Sequence, residues 1–212
     1  MRMAIASPGN DFRLGACEAP PAIISTYLGE QLTTFLEEFK AGQLGRVYAP
    51  LKKTVDVGVE GVAPFTVPAE DRNRTSPFPY GGHRFEFRAA GSSQNVSMIN
   101  TVLCTILAES FKSFADAIEE GVKPQEVATK ALNEHWKVIF NGNGYSEAWP
   151  KEAEAKGVWR IDSGVEAMAV MNSPKNLALF ESMNVLTKTE ATSRAEVMFG
   201  HYSGIVEIEG KC

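Results

Sequence analysis

The stretch DRNRTSPFPYGGHRFEFR, residues 71–88, decides how this chain is read. Its end, from about His83 to Ala89, reads as a short strand. Side chains in an extended segment alternate faces. Arg84, Glu86 and Arg88 therefore fall in a row on one face. Phe85 and Phe87 fall on the other, where they can anchor the strand in a core. Two guanidinium groups flanking one carboxylate are costly as mere structure, because charges near a core must be paired or used. Arginine forks bind carboxylate and phosphate bidentately. A lone Glu among them can hold a hard divalent cation that also bridges phosphates. Arg72 and Arg74, in the preceding loop, add cationic reach. Together these residues read as a pocket for a polyanion, a metal and a carboxylate substrate. An ordinary cross-strand ion-pair ladder on a solvated face fits the same spacing.

A second polar stretch, GNDFRLGACEAPP, covers residues 9–21. Arg13 and Glu18 flank a Gly-containing loop just before Pro20-Pro21. A loop Arg can hold a carboxylate and a loop Glu can accept a proton. Glu18 also suits a helix N-terminus, where negative charge is stabilised.

Outward from these stretches the chain alternates a few strands with many helices. Ile24, Leu28, Leu32, Phe35 and Phe39 recur at helical spacing, which predicts a helix from about Pro20 to Lys40, stopped by Gly42 and Gly45. Val55, Val57 and Val59 alternate with polar or glycine residues, which predicts a half-buried strand. Residues 61–82 read as an irregular loop. Ile99 through Ile118 make a broad apolar helical stripe, with Asn95 as cap and Gly121 as stop. Pro124 opens a helix to about Phe140, and Asn141-Gly142-Asn143-Gly144 breaks it. Ser163-x-x-Glu166 and Thr187-x-x-Glu190 match the capping box, and Pro174 starts a helix between them. The last helical pattern is still running at Cys212. Two strands make a poor sheet without partners, so the chain is expected to be a piece of a larger fold.

Composition bounds the function. The 212 residues are 44% hydrophobic and 22% charged, enough for a core. Lys and Arg number 21 against 26 Asp and Glu, a net charge of −5. No basic block marks nucleic-acid binding by counterion release, and no charge pattern supports a membrane surface. Three scattered cysteines, Cys17, Cys104 and Cys212, argue against a secreted disulfide framework and a zinc site. No signal peptide or membrane span is readable. A reducing, cytoplasmic setting is expected, or an organelle such as a plastid in a eukaryote. His83 reads as a strand-edge residue, and the three tryptophans read as packing residues.

The two polar stretches together resemble glutamine synthetase, in its large type III form. The matches are Gly9-Asn10-Asp11-Phe12-Arg13-Leu14-Gly15-Ala16, Glu18-Ala19-Pro20-Pro21-Ala22-Ile23-Ile24-Ser25, Asp71 to Phe78, Phe85-Glu86-Phe87-Arg88 and Gly91-Ser92-Ser93. Further on, Phe140 to Glu147 and Ser193-Arg194 also look like that form. The resemblance is collinear over nearly the whole chain. It departs from the type III pattern at Cys17, where Asn is usual, and near Arg84, where a Lys-type residue is usual. Pro79 stands where the shorter forms carry another Arg.

The resemblance implies an α+β fold: part of a catalytic domain with a bowl-like β-sheet over residues 1–121, then a mainly helical C-terminal region over 122–212. It implies an ATP-dependent ligase that joins ammonia to glutamate, with Mg²⁺ or Mn²⁺, in a homo-oligomer of two stacked six-membered rings. Carried over by position, Arg13 binds the glutamate α-carboxylate, and Glu18 closes the site and helps deprotonate ammonium. Arg74 stabilises the transferring phosphate, with contacts to glutamate and nucleotide. Glu86 is a metal ligand, Arg88 contacts glutamate and the acyl phosphate, and Arg84 lies near nucleotide. The family's other metal ligands, its Asn-Gly-Ser-Gly-x-His segment and its β-grasp domain precede this stretch, so a C-terminal catalytic fragment is expected. Two alternatives stand beside the ligase: a non-catalytic synthetase-like structural or interaction protein, and a ligase joining glutamate to another amine.

Overall fold

The computed structural model of the chain describes residues 1–6, 21–43, 45, 47–50, 53–67, 71, 74–90 and 94–211. In chain order the elements are β1 (Thr26–Tyr27), α1 (Glu30–Lys40), β2 (Lys53–Val55), β3 (Phe65–Val67), β4 (Phe78–Pro79), α2 (Ser97–Glu119), α3 (Pro124–His135), α4 (Trp149–Ala155), α5 (Gly164–Ala169), α6 (Pro174–Ser182) and α7 (Lys188–Glu209). Short 3-10 turns lie at Met3–Ile5, Trp136–Val138 and Val170–Asn172. The class is mixed α and β, with two small two-stranded sheets among the described residues. Among those residues no helix is long and apolar enough to cross a membrane. The chain divides into two compact units that interleave in sequence. One comprises Met1–Ile24, Ala89–Val127 and Trp159–Cys212, and the other Ser25–Arg88 and Ala128–Val158.

The first unit is helical. Its core gathers Met3, Ala4, Val102, Met171, Phe180, Leu186, Ala191 and Ala195, with Met98, Ile99, Ile106, Leu177 and Val185 packed against them. The start of α2 therefore buries its apolar stripe. The stripe continues beyond the core: Leu107, Phe111, Phe114 and Ile118 are exposed. Asn95 supports the start of α2, accepting from the Ser97 N–H at 2.8 Å. The N-cap of α2 is Val96, not the expected Asn95. Of the two predicted capping boxes, the one at Thr187 closes fully and the one at Ser163 in one direction. Ser163 Oγ accepts from the Glu166 N–H at 3.4 Å. At α7 the box closes in both directions: Thr187 Oγ1 accepts from the Glu190 N–H at 3.2 Å, and Glu190 Oε2 accepts from the Thr187 N–H at 2.8 Å. Each bond satisfies a donor the helix cannot satisfy itself. The α7 helix ends at Glu209, short of the pattern's predicted run.

The second unit corrects three expectations. The helix expected from Pro20 starts only at Glu30, after Gly29 at φ 78°. Ile24 and Leu28 matched the helical period, but tertiary partners claim the backbone around them. Thr26 and Tyr27 pair in parallel with Phe78 and Pro79. The N–H groups of Leu28 and Gly29 donate to Asn141 Oδ1 at 3.1 and 3.0 Å. The valine alternation forms a strand only over Lys53–Val55, antiparallel to Phe65–Val67 inside the expected loop. Gly58 at φ 69° then turns the chain. The helix opened by Pro124 stops at His135. Phe140 donates its N–H to the Thr26 carbonyl at 2.9 Å, extending the small parallel sheet. Helix α4, which the sequence reading omits, buries Trp149 and stacks it on Phe140 at 3.7 Å between ring centroids.

Phe180 is 1% exposed in the helical core, whereas Phe111 on α2 is 67% exposed. Phe180→Ala is expected to cost about 3–5 kcal/mol, and Phe111→Ser less than about 0.5 kcal/mol, measured by denaturant unfolding.

Candidate functional site

Residues 77–88 double back on themselves. β4 leads into a turn with Gly82 at φ 84°. Tyr80 and Phe85 form an antiparallel bridge. Gly81 donates its N–H to the Arg84 carbonyl at 2.7 Å, Glu86 to Pro79 at 3.0 Å and Arg88 to Pro77 at 2.8 Å. The returning segment is thus extended but held at one edge only, so the strand expected over 83–89 reduces to a single bridge residue. Alternation still sorts the faces. The Phe78 ring lies 5.3 Å from Phe85 and 6.1 Å from Phe87, with Tyr80 5.3 Å from Phe85. Phe85 remains 50% exposed, so this aromatic face is only partly covered.

The opposite side carries a continuous charge row. Glu86 Oε1 accepts from Arg84 through Nε at 2.9 Å and lies 2.7 Å from Nη2. Glu86 Oε2 accepts from Arg88 through Nε at 3.1 Å and Nη2 at 2.8 Å. Each oxygen therefore meets one guanidinium fork. The Arg88 Nη1 donates onward to Asp71, to its Oδ2 and its carbonyl, both at 3.3 Å. Hydrogen bonds from Arg88 first, and then Arg84, hold the Glu86 carboxyl below its ordinary range.

Asp71 is the buried member of the row, its side chain 4% exposed. Its Oδ1 accepts from Thr75 Oγ1 at 3.1 Å and its Oδ2 from the Ser76 N–H at 2.8 Å. Its carbonyl accepts from the Arg74 N–H at 3.2 Å. These bonds close a tight turn in which Arg74 takes φ 55°, a left-handed conformation unusual outside glycine. Arg74 is exposed. Among the described residues, no hydrogen bond or ion pair engages its guanidinium. Tyr27 lies close enough to Asp71 that its hydroxyl is harder to ionise, mainly through burial and then through the charges of Asp71 and Glu30.

The Asn-Gly-Asn-Gly break has a role in this geometry. Gly144 donates its N–H to the Thr75 carbonyl at 2.9 Å. A Cβ at Gly144 would stand 2.5 Å from that oxygen. Asn141 fastens the other end of the loop, and its Nδ2 donates to Thr33 Oγ1 at 2.8 Å. The loop after α3 thus braces the turn that carries Arg74.

Of the candidate residues, Arg84, Glu86 and Arg88 come together in one row, and Arg74 stands on the turn that Asp71 closes. Arg13 and Glu18 lie outside the described residues, as do Cys17 and Arg72. His83 is exposed beside the row. The sequence reading gave Asp71 no role. Its signal was an Asp opening a polar run with Thr and Ser four and five residues on, the pattern of a side-chain-closed turn.

Comparison with known proteins gives these residues a context. A family model described as glutamine synthetase C-terminal domain matches residues 124–212. The chain is 41% identical over 216 residues to a type-3 glutamine synthetase of Dictyostelium discoideum, covering 99% of this chain and 29% of the relative. It is 36% identical over 220 residues to a glutamine synthetase of Bacteroides fragilis (strain YCH46), covering 100% of this chain and 30% of the relative. A glutamine synthetase of Butyrivibrio fibrisolvens is also 36% identical, over 217 residues. The chain spans about 30% of the length of these relatives.

Two outcomes follow for the row and its brace. Glu86 has a depressed folded-state pKa. Its ion pairs therefore stabilise fully above the ordinary carboxylate range and are lost as pH falls through the lower, folded value. Arg88→Gln should return the Glu86 titration upward toward the ordinary range, read by carboxyl ¹³C NMR. Gly144→Ala should cost about 1–3 kcal/mol through the forced shift of Thr75. It should also move the Arg74 amide resonance, whereas Gly200→Ala on α7, where the new Cβ meets nothing, should leave that resonance in place.

Proposed function

Because this chain belongs to the glutamine synthetase family, we propose that it supplies part of an active site making glutamine from glutamate, ammonia and ATP. The observation that carries this reading is the row Arg84–Glu86–Arg88, anchored on Asp71 beside the turn of Arg74. ATP phosphorylates the glutamate γ-carboxylate, and ammonia then displaces the phosphate. The transferring phosphoryl group spreads negative charge over its oxygens, so catalysis needs fixed cations more than covalent help. Arg74, exposed and without an ion pair among the described residues, takes that charge and contacts both glutamate and nucleotide. Arg88 grips glutamate and the acyl phosphate, and Arg84 contacts the nucleotide. Arg13 binds the α-carboxylate. Glu18 accepts a proton from ammonium and closes the site, keeping water from the acyl phosphate.

Mg²⁺ or Mn²⁺ supplies charge neutralisation at the ATP phosphates when bound. Glu86 fits such a cation by donor chemistry, since carboxylate oxygens suit hard ions. Its two oxygens meet four guanidinium nitrogens, Nε and Nη2 of Arg84 and of Arg88. These engage all of the about four lone-pair sites of an ionised carboxylate, so a cation would have to displace one of these contacts. Among the described residues no group of three or more His, Cys, Asp or Glu stands together. Glu86 is therefore one donor of a set that needs others. In this reading residues 1–121 belong to a catalytic domain with a bowl-like sheet, and 122–212 form the helical C-terminal region. The protein works as two stacked six-membered rings, in the cytoplasm or in an organelle such as a plastid.

A non-catalytic role is the competing reading. The engagement of both Glu86 oxygens by arginine favours it, because an ion-pair ladder needs no substrate. A ligase for another amine differs only in the acceptor. The test uses the native protein with hydroxylamine in place of ammonia. γ-Glutamyl hydroxamate should form only with ATP and glutamate present, and residues 1–212 alone should form none. Arg88→Ala should lower turnover about 100-fold while the protein stays folded, with a melt lowered by the loss of the Asp71 pairing. Turnover indifferent to Arg88→Ala would return the row to a ladder. A faster reaction with another primary amine than with ammonia would change the acceptor.

A further inference from the structure

We propose that Asp71 is the positioning residue that fixes the Arg88 guanidinium relative to Arg74; this rests on the synthetase reading and deepens it. An arginine on a half-exposed extended segment has four side-chain torsions and samples many directions. Arg88 is held at both ends of its fork. Nε and Nη2 point to Glu86, and Nη1 points to Asp71. The two anchors differ in kind. Glu86 is about one-third exposed and shares its charge with Arg84. Asp71 is buried, and its carboxylate is locked by Thr75 Oγ1 and the Ser76 N–H. A locked acceptor transmits position, whereas an exposed one follows its partner.

Asp71 also closes the turn in which Arg74 sits, through its carbonyl to the Arg74 N–H. One residue thereby refers two arginines to the same frame, one through backbone and the other through guanidinium. Thr75 in turn is braced by Gly144. For a phosphoryl group that must meet both cations at once, their separation matters more than either charge alone. Asp71 is buried behind the row and acts through Arg88 rather than on the reacting atoms.

Asp71→Asn keeps an acceptor for the Ser76 N–H, and so keeps the turn, but removes the charge that holds Nη1. In the native protein it should lower kcat about 100-fold, the scale of a misplaced group, with KM for ATP moving less than about threefold, because Arg88 grips glutamate and the acyl phosphate and the nucleotide's contacts are retained. The deciding readout is the double variant. If Asp71 acts through Arg88, adding Asp71→Asn to Arg88→Ala should change kcat by less than about twofold, since coupled residues are not additive. An additive loss, or wild-type kcat in Asp71→Asn, overturns the inference. Wild-type kcat in Arg88→Ala instead brings down the synthetase role of Arg88, and this inference with it, so the two failures are distinguishable. If Asp71→Asn melts early, Asp71→Glu replaces it. That variant keeps the charge but moves it by one methylene, and wild-type turnover there would equally refute a positioning role.

Discussion

Three backbone hydrogen bonds, from Gly81 to Arg84, Glu86 to Pro79 and Arg88 to Pro77, hold residues 77–81 against 84–88 in one register. Side chains on an extended segment alternate with a period of two. A slip of one residue would exchange the aromatic and the charged faces. Phe85 and Phe87 would then take the charged face, and Arg84, Glu86 and Arg88 would together be turned onto the Phe78 ring. The parallel pairing of Thr26–Tyr27 with Phe78–Pro79 fixes the outgoing segment, and so fixes the face from which the guanidinium groups project.

On that face the arrangement alternates sign along a line: Arg84, Glu86, Arg88, Asp71. Exposed ion pairs contribute little to stability. The partly buried end is different, because a buried carboxylate left alone is costly. Asp71 receives a hydroxyl, a backbone N–H and a guanidinium, which together compensate its removal from water. The cost of burying that charge is therefore met within a few residues of the turn that carries Arg74.

The support extends further along the chain than the charges do. Asn141 holds Leu28, Gly29 and Thr33, while Gly144 holds Thr75. The loop after α3 thereby links the start of α1 to the turn of Arg74. Phe140, stacked on the buried Trp149, pins that loop to α4. The wide spacing in sequence between residues 26–33, 71–88 and 139–149 means that this small sheet is built from non-local contacts.

Local signals in the sequence determined what local physics controls. The side-chain cap at Ser163, the capping box at Thr187, the Gly121 stop after α2 and the two faces of residues 84–88 are matters of neighbouring dihedrals and short-range hydrogen bonds. They were legible because nothing distant competes for those atoms. The helix predicted from Pro20 failed for the opposite reason. Thr26, Leu28 and Gly29 give their backbone groups to Phe140, Phe78 and Asn141, partners that no helical period reveals. Asp71 was missed on the same ground. Its residue type announced a turn, but its bond to an arginine seventeen positions away exists only once the chain has doubled back. Sequence alone determined which charged groups share a face. The tertiary structure decided which carboxylate holds them still, because burial and the locking of an acceptor depend on contacts made across the fold.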